Sequence, residues 1–298
     1  MEFIDKNNSA NIQQARKLLD GFLNRCVQSP TWPTDLYNAM ASDKDPDDPN
    51  AETTYKLLRR QILKENQNRC CYCMRMIEEQ DTTLEHIIPN KAADQTEYDK
   101  YKQYYSNIDW QKMIFAKAFL KTPKWTFRSY PHTIAYENLI PSCNGKFAKM
   151  NRDPNLHVGD NRVSKSCNNK RGNDFVIPFV LVKQMVSEFK YNKSGRIIWS
   201  VDKNIIGPQR KELLEKHKET IERLGLNCDE LVAIRRIWFF LANNNLDSLK
   251  DKDRTIIFLL EDVNLTEQEK EMLNNFWQDN YWSLLEEYRY FNDVNKFT

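Results

Sequence analysis

Apolar residues recur at helical spacing over residues 10–27, where Ile12, Ala15, Leu18, Leu19, Phe22 and Leu23 share one stripe and Ser29-Pro30 ends it. The same period returns over 53–66, with Tyr55, Leu58, Ile62 and Leu63 on one side, and a short helix is predicted at 34–41. The acidic stretch 42–50 carries Pro46 and Pro49 and reads as a loop. Strand-like patterning leads up to His86 and is expected again around Ala135, followed by a loop at Glu137–Asn138. Residues 187–201 set Phe189 and Tyr191 against Ile197, Ile198 and Trp199 across Asn192-Lys193-Ser194-Gly195, the pattern of a hairpin. Beyond Pro208 the pattern is helical. It predicts a helix over 211–224 closed by Gly225, a second over 229–243 opening on Asp229, and one or two over 265–291. In that last stretch Thr266 would be the cap, with Phe276, Trp277, Trp282, Leu285 and Tyr288 inward. The expected fold is α+β and mostly helical. It divides into an N-terminal helical region (1–66), a central unit (67–180) with an insertion at about 94–133 whose 110–120 part is helix-like, and a hairpin plus helical region (181–298).

The chemistry gathers in the central unit. Cys70 and Cys73 form a Cys-x-x-Cys turn that puts two thiolates on one side of a tight loop. Tetrahedral zinc needs two more ligands, and Cys143 and Cys167 are the candidates. The competing account is one chance Cys-x-x-Cys plus two buried thiols. A zinc staple is preferred because the two outer cysteines fall beside the other motif segments, Asn138-Leu139 and Asn168-Asn169-Lys170-Arg171. Cys71, inside the pair, should point away from it, and Cys26 and Cys228 read as small buried hydrophobes. A thioredoxin-like role is disfavoured, since no βαβ context surrounds the pair. Glu85-His86 places a carboxylate beside an imidazole that can act as a base near neutral pH. Neighbours on a regular strand point to opposite faces, so both can serve one site only if the strand ends or bends there, as Pro89 allows. His132 and His157 remain alternative ligands, while His217, on a charged helix, reads as solvated.

Composition adds an electrostatic picture. Net charge is only +2, yet residues 111–172 carry twelve lysines and arginines against Glu137, Asp153 and Asp160, with Trp125, Phe127, Tyr130 and Tyr136 among them. Such a surface suits a phosphate backbone, and Lys146, Lys149, Lys170 and Arg171 are its candidate nucleic-acid contacts; a solvated basic loop is the plainer alternative. Seven glycines are too few for a Gly-rich nucleotide fold. No apolar run reaches the roughly 18 residues of a membrane helix. The polar, charged first six residues are unlike a secretory leader, and the expected location is the cytoplasm.

In order, these segments resemble the HNH nucleases: Cys-x-x-Cys at 70–73, Glu85-His86 with Pro89, Asn138-Leu139 with Cys143 five residues on, and Cys167-Asn168 with Lys170. The resemblance implies a ββα-metal core holding one catalytic Mg²⁺ or Mn²⁺, with the cysteines as a structural zinc staple. It implies His86 as general base, Asn168 as a metal ligand with Asn144 its rival, and Asn138 bonding the hairpin-loop backbone to orient His86. Glu85, standing where the family usually has Asp, would ligate the metal or support a ligand. From about Asn68 to Arg236, through Ser194-Gly195-Arg196-Ile197 and Leu224-Gly225-Leu226-Asn227, the chain is similar to HNH proteins of Septu-type and retron-linked anti-phage systems. That similarity implies a DNA substrate and an SMC-like ATPase partner. The rival expectations are a stand-alone restriction-type HNH nuclease and a non-catalytic zinc-stapled module that binds nucleic acid or protein.

Overall fold

The computed structural model describes residues 4–31, 33–91, 94–102, 113–116, 129–145, 166–172, 174, 176–177, 179–181, 183–199, 201–244, 252–261 and 267–287. Sequence readings at Lys146, Lys149, His157, Trp125, Phe127, Thr266 and Tyr288, and those that concern the Phe276 and Trp282 side chains, lie outside the described residues. The fold is mixed, with helices around small two-stranded sheets.

Asn8 opens the first helix, α1 (Ser9–Gln28), by accepting from the backbone N–H of Ala10 and Asn11, two donors a helix start leaves without partners. Its stripe Ala15, Leu19, Phe22, Leu23 and Cys26 is buried against α3 (Thr54–Glu65), whose Leu58, Ile62 and Leu63 face it. Between them, α2 (Leu36–Met40) is capped by Asp35, which accepts from Asn38 N at 3.0 Å. The acidic loop is tied back by Asp43, bound by Arg25 Nε at 2.8 Å and Nη2 at 2.6 Å.

The central sheet pairs β1 (Thr82–His86) antiparallel with β4 (Leu139–Cys143), in register from Thr82 opposite Cys143 to His86 opposite Leu139. The strand expected around Ala135 is displaced. Asn138 N donates to Ala135 O at 2.9 Å and winds Tyr136–Asn138 into a 3₁₀ turn, so the strand begins only at Leu139. All five β4 residues are buried, which removes the alternation that marks a half-exposed strand. Pro141 is tolerated there because its carbonyl still accepts, from Cys71 N at 2.9 Å. Within the insertion come α4 (Gln95–Lys102) and a short parallel pair, β2 (Met113–Ile114) with β3 (Tyr130–Pro131); the helix-like reading of 110–120 gives way to strand at Met113–Ile114. The short helix α5 (Cys167–Arg171) then packs on β4.

After α6 (Lys183–Ser187) the expected hairpin forms from β5 (Phe189–Tyr191) and β6 (Ile197–Trp199). Its Gly195 has φ +75°, and a Cβ there would lie 2.3 Å from Val232 O on the helix behind, so the hairpin docks only through glycine. Four helices follow: α7 (Gly207–Arg223), α8 (Asp229–Asn243), α9 (Lys252–Glu261), which the sequence pattern did not announce, and α10 (Glu267–Glu287) with Trp277 and Leu285 buried. One cluster of buried apolar residues runs from Ile4 to Leu285. His217 departs from its reading as solvated: it is 3% exposed and stacks on Trp199 with ring centroids 3.6 Å apart. Cys26 is buried as expected, whereas Cys228 is partly exposed.

Candidate metal centre and catalytic turn

Three separate segments deliver four sulfurs to one point. Cys70 and Cys73 sit in a turn closed by Met74, at φ +64°, whose N–H returns to Cys70 O at 3.0 Å. Cys143 ends β4 and Cys167 begins α5. The four Sγ atoms all lie within 4.8 Å of one another and all four residues are buried. A tetrahedron with Zn–S of about 2.3 Å has S···S edges of about 3.8 Å. The observed Cys70–Cys167 and Cys73–Cys143 separations are 3.7 and 3.8 Å, far beyond a disulfide bond. These cysteines are therefore positioned to bind a metal ion, in an arrangement compatible with structural zinc. Cys71 is buried outside the cluster, and burial pushes its thiol well above the usual value, so it stays neutral.

The long gap between Cys143 and Cys167 closes at its base. Gly145, at φ +70°, lets the backbone approach so nearly that an added Cβ would fall 1.9 Å from Ser166 O and 2.8 Å from Asn169 Cβ. Gly145→Ala therefore carries both left-handed strain and a backbone clash. We expect it to lower stability by several kcal/mol and to weaken metal retention, read by thermal melting and elemental analysis. A variant that melts with wild type and keeps its metal would refute this role.

The other end of the strand pair, away from the cluster, is held from both sides. Asn138 lies buried beneath it; its Oδ1 accepts from Ile88 N at 2.7 Å and its Nδ2 donates to Ile88 O at 2.9 Å and His132 O at 2.7 Å. His86, 8% exposed, sends its ring towards α2, where it meets Tyr37 edge-on at 4.6 Å. Its Nε2 lies 2.8 Å from Thr133 O. A carbonyl only accepts, so Nε2 carries the hydrogen and Nδ1 keeps the lone pair of a neutral ring. Burial lowers the His86 pKa to about 4, which leaves the ring in its proton-accepting form at neutral pH.

Thr83 and Glu85 instead meet α5. Asn168, half-buried, donates from Nδ2 to Thr83 Oγ1 at 3.1 Å. Glu85, 6% exposed, pairs with Arg171 Nη1 at 2.5 Å. Burial raises the Glu85 pKa despite the neighbouring guanidinium. Glu85 and His86 thus keep to opposite sides of the strand, as alternation requires. Arg171, anticipated as a phosphate contact, is 2% exposed and spends its donors on internal acceptors. The reason is electrostatic: a buried carboxylate needs a buried cation beside it. Lys170 is exposed, and Asn144 is half-buried on the chain segment after Cys143.

Several supporting residues had no local signal. Tyr37 reaches from α2 to donate to Leu84 O at 3.1 Å, and Arg16 of α1 pairs with Glu137 at 3.0 Å, next to Asn138. The N-terminal helices therefore buttress the turn, through contacts too distant in sequence for any pattern to mark. His132, an alternative ligand in the sequence, accepts at Nδ1 from Ala116 N at 3.0 Å and faces Pro89 O through Nε2 at 3.3 Å, stacked on Phe115; its role is to join the insertion to the turn. Against this geometry, no family model, no curated protein and no solved structure matches the chain.

Proposed function

We propose that the chain is a metal-dependent HNH endonuclease that hydrolyses DNA phosphodiester bonds, the effector of an anti-phage defence complex with an SMC-like ATPase. One observation carries the catalytic part: a strand pair and a short helix hold Glu85 and Asn168 on one side of β1 and His86 on the other, with Asn138 fixing the chain just beyond His86 and the four-cysteine cluster at the opposite end of the pair. The resemblance to HNH nucleases rests on the order of these segments, although Cys143 and Cys167 stand much farther apart than the second cysteine pair usual in that family. The ATPase partner and the defence role rest on the resemblance alone.

In this reading His86 Nδ1 takes the proton of the attacking water, while the Nε2–H bond to Thr133 O fixes ring and tautomer. Asn138 holds the Ile88 peptide and so the direction in which the chain leaves His86. Glu85 and Asn168, both on the α5 side of β1, would offer the hard oxygen donors that Mg²⁺ or Mn²⁺ prefers, and the reading requires the His86 ring, now on the α2 side, to reach the same site at the strand end. Such an ion supplies positive charge to the developing phosphorane and leaving oxygen. Lys170, exposed on α5, and the other lysines and arginines of 111–172 except Arg171 would meet the phosphate backbone.

A second reading has its own observation. Glu85 is already neutralised by Arg171 and His86 is largely covered, as suits a stapled binding module without catalysis. Plasmid cleavage with Mg²⁺ or Mn²⁺ separates the two. We expect the intact chain to cut, and His86→Ala to lose about 10²–10⁴-fold in rate while keeping its fold and cysteine-bound metal. Equal cleavage by both proteins would remove His86 from the mechanism; no cleavage by either favours the binding module.

A further inference from the structure

We propose that Arg171 is a positioning residue of the catalytic turn, fixing the backbone after Glu85 so that the His86 ring is presented in one orientation; this rests on the nuclease reading. Arg171 Nη1 donates to His86 O at 2.7 Å and Nη2 to Ile87 O at 2.9 Å, so one planar fork spans two consecutive carbonyls. The same Nη1 holds Glu85 Oε1. The fork is itself held in place, by Nε on Asp174 O at 3.0 Å and by Tyr72 Oη at 3.2 Å from Nη1. From the other side Asn138 takes the N–H and carbonyl of Ile88. The carbonyls of residues 86, 87 and 88 are thus aimed by two side chains from distant segments. Arg171 also shares its five-residue helix with Cys167, so the fork is mounted on an element the sulfur cluster anchors.

A simpler role would be charge alone, keeping buried Glu85 neutralised. Lysine distinguishes the two, because it supplies a point charge without the rigid fork. Arg171→Lys in the full chain should fold and keep its metal. We expect KM for DNA within about twofold of wild type and kcat lower by roughly tenfold or more, the scale of one lost charge-assisted hydrogen bond. In spectra of protein with ¹⁵N-labelled histidine, the His86 ring should change from a single Nε2–H tautomer to a mixture. Wild-type kcat with an unchanged ring signal would overturn the proposal, and so would raised KM with kcat intact, the mark of a DNA contact. If Arg171→Lys does not fold, Tyr72→Phe decides: a severalfold fall in kcat at constant KM supports the fork, and wild-type kcat overturns it. If the wild-type chain does not cut DNA, the nuclease reading fails and the ring spectra alone judge Arg171, identical spectra in both proteins counting against it.

Discussion

Cys167→Ser should abolish metal binding at the four-cysteine cluster and unfold the unit around the Glu85–Ile88 turn. The four sulfurs come from a turn, the end of β4 and the start of α5, and among the described residues the cluster joins all three at one point. A structural zinc contributes about 10–16 kcal/mol of apparent binding energy in small domains, comparable with the 5–15 kcal/mol net stability of a whole protein. Losing a ligand releases α5, and with it the Arg171 side that pairs with Glu85. The expected preparation holds about one zinc per chain, melts cooperatively, and loses that transition in a strong chelator. Cys71→Ser is the control. Its side chain is equally buried but outside the cluster, so it should cost only about 1–3 kcal/mol for a buried hydroxyl and retain the metal. If Cys167→Ser kept its metal and melted with wild type, the four sulfurs would be packing, not coordination.

The cysteine cluster was legible because metal chemistry is sparse: a Cys-x-x-Cys and two further cysteines beside motif segments leave few arrangements. The amphipathic helices α1 and α3 and the β5–β6 hairpin were legible through their periods, which a half-buried surface imposes on sequence. Where burial is complete the period vanishes, so the sequence pattern sets the strand too early, around Ala135 and not at Leu139. Long-range charge pairing left no trace at all. Arg171 and Glu85 are 86 residues apart, and nothing local distinguishes a buried arginine from the solvated lysine before it. His217 shows the same limit in a helix: α7 is charged nearly all round, and within it only His217 and Thr220 are buried.

That buried histidine leads to the other large effect, a steep loss of stability in mild acid. Burial lowers His86, His132 and His217 each from 6.5 to about 4. Above about pH 6.5 both folded and unfolded chains hold these rings neutral, and they contribute nothing to pH dependence. Below it the unfolded chain binds protons that the folded chain refuses, so stability falls as pH falls, down to about pH 4. Each ring costs about 1.4 kcal/mol per pH unit in that window, hence about 2 kcal/mol at pH 5 and about 6 for the three together. Glu85, raised by burial, acts in the opposite direction. The chain should therefore lose its cooperative denaturant transition between about pH 6 and 5. Acid also protonates cysteine thiolates and releases bound metal, so the histidine contribution is isolated by comparing variants. His217→Phe keeps a ring against Trp199, with which His217 stacks at 8° between planes, and removes two ring nitrogens that have no hydrogen-bond partner among the described residues. At pH 7.5 it should be at least as stable as wild type. At pH 5 it should be more stable by about 2 kcal/mol, measured by urea titration at matched metal content. Stability curves that run parallel from pH 7.5 to 5 would show that His217 is protonated in the folded chain as readily as in the unfolded one.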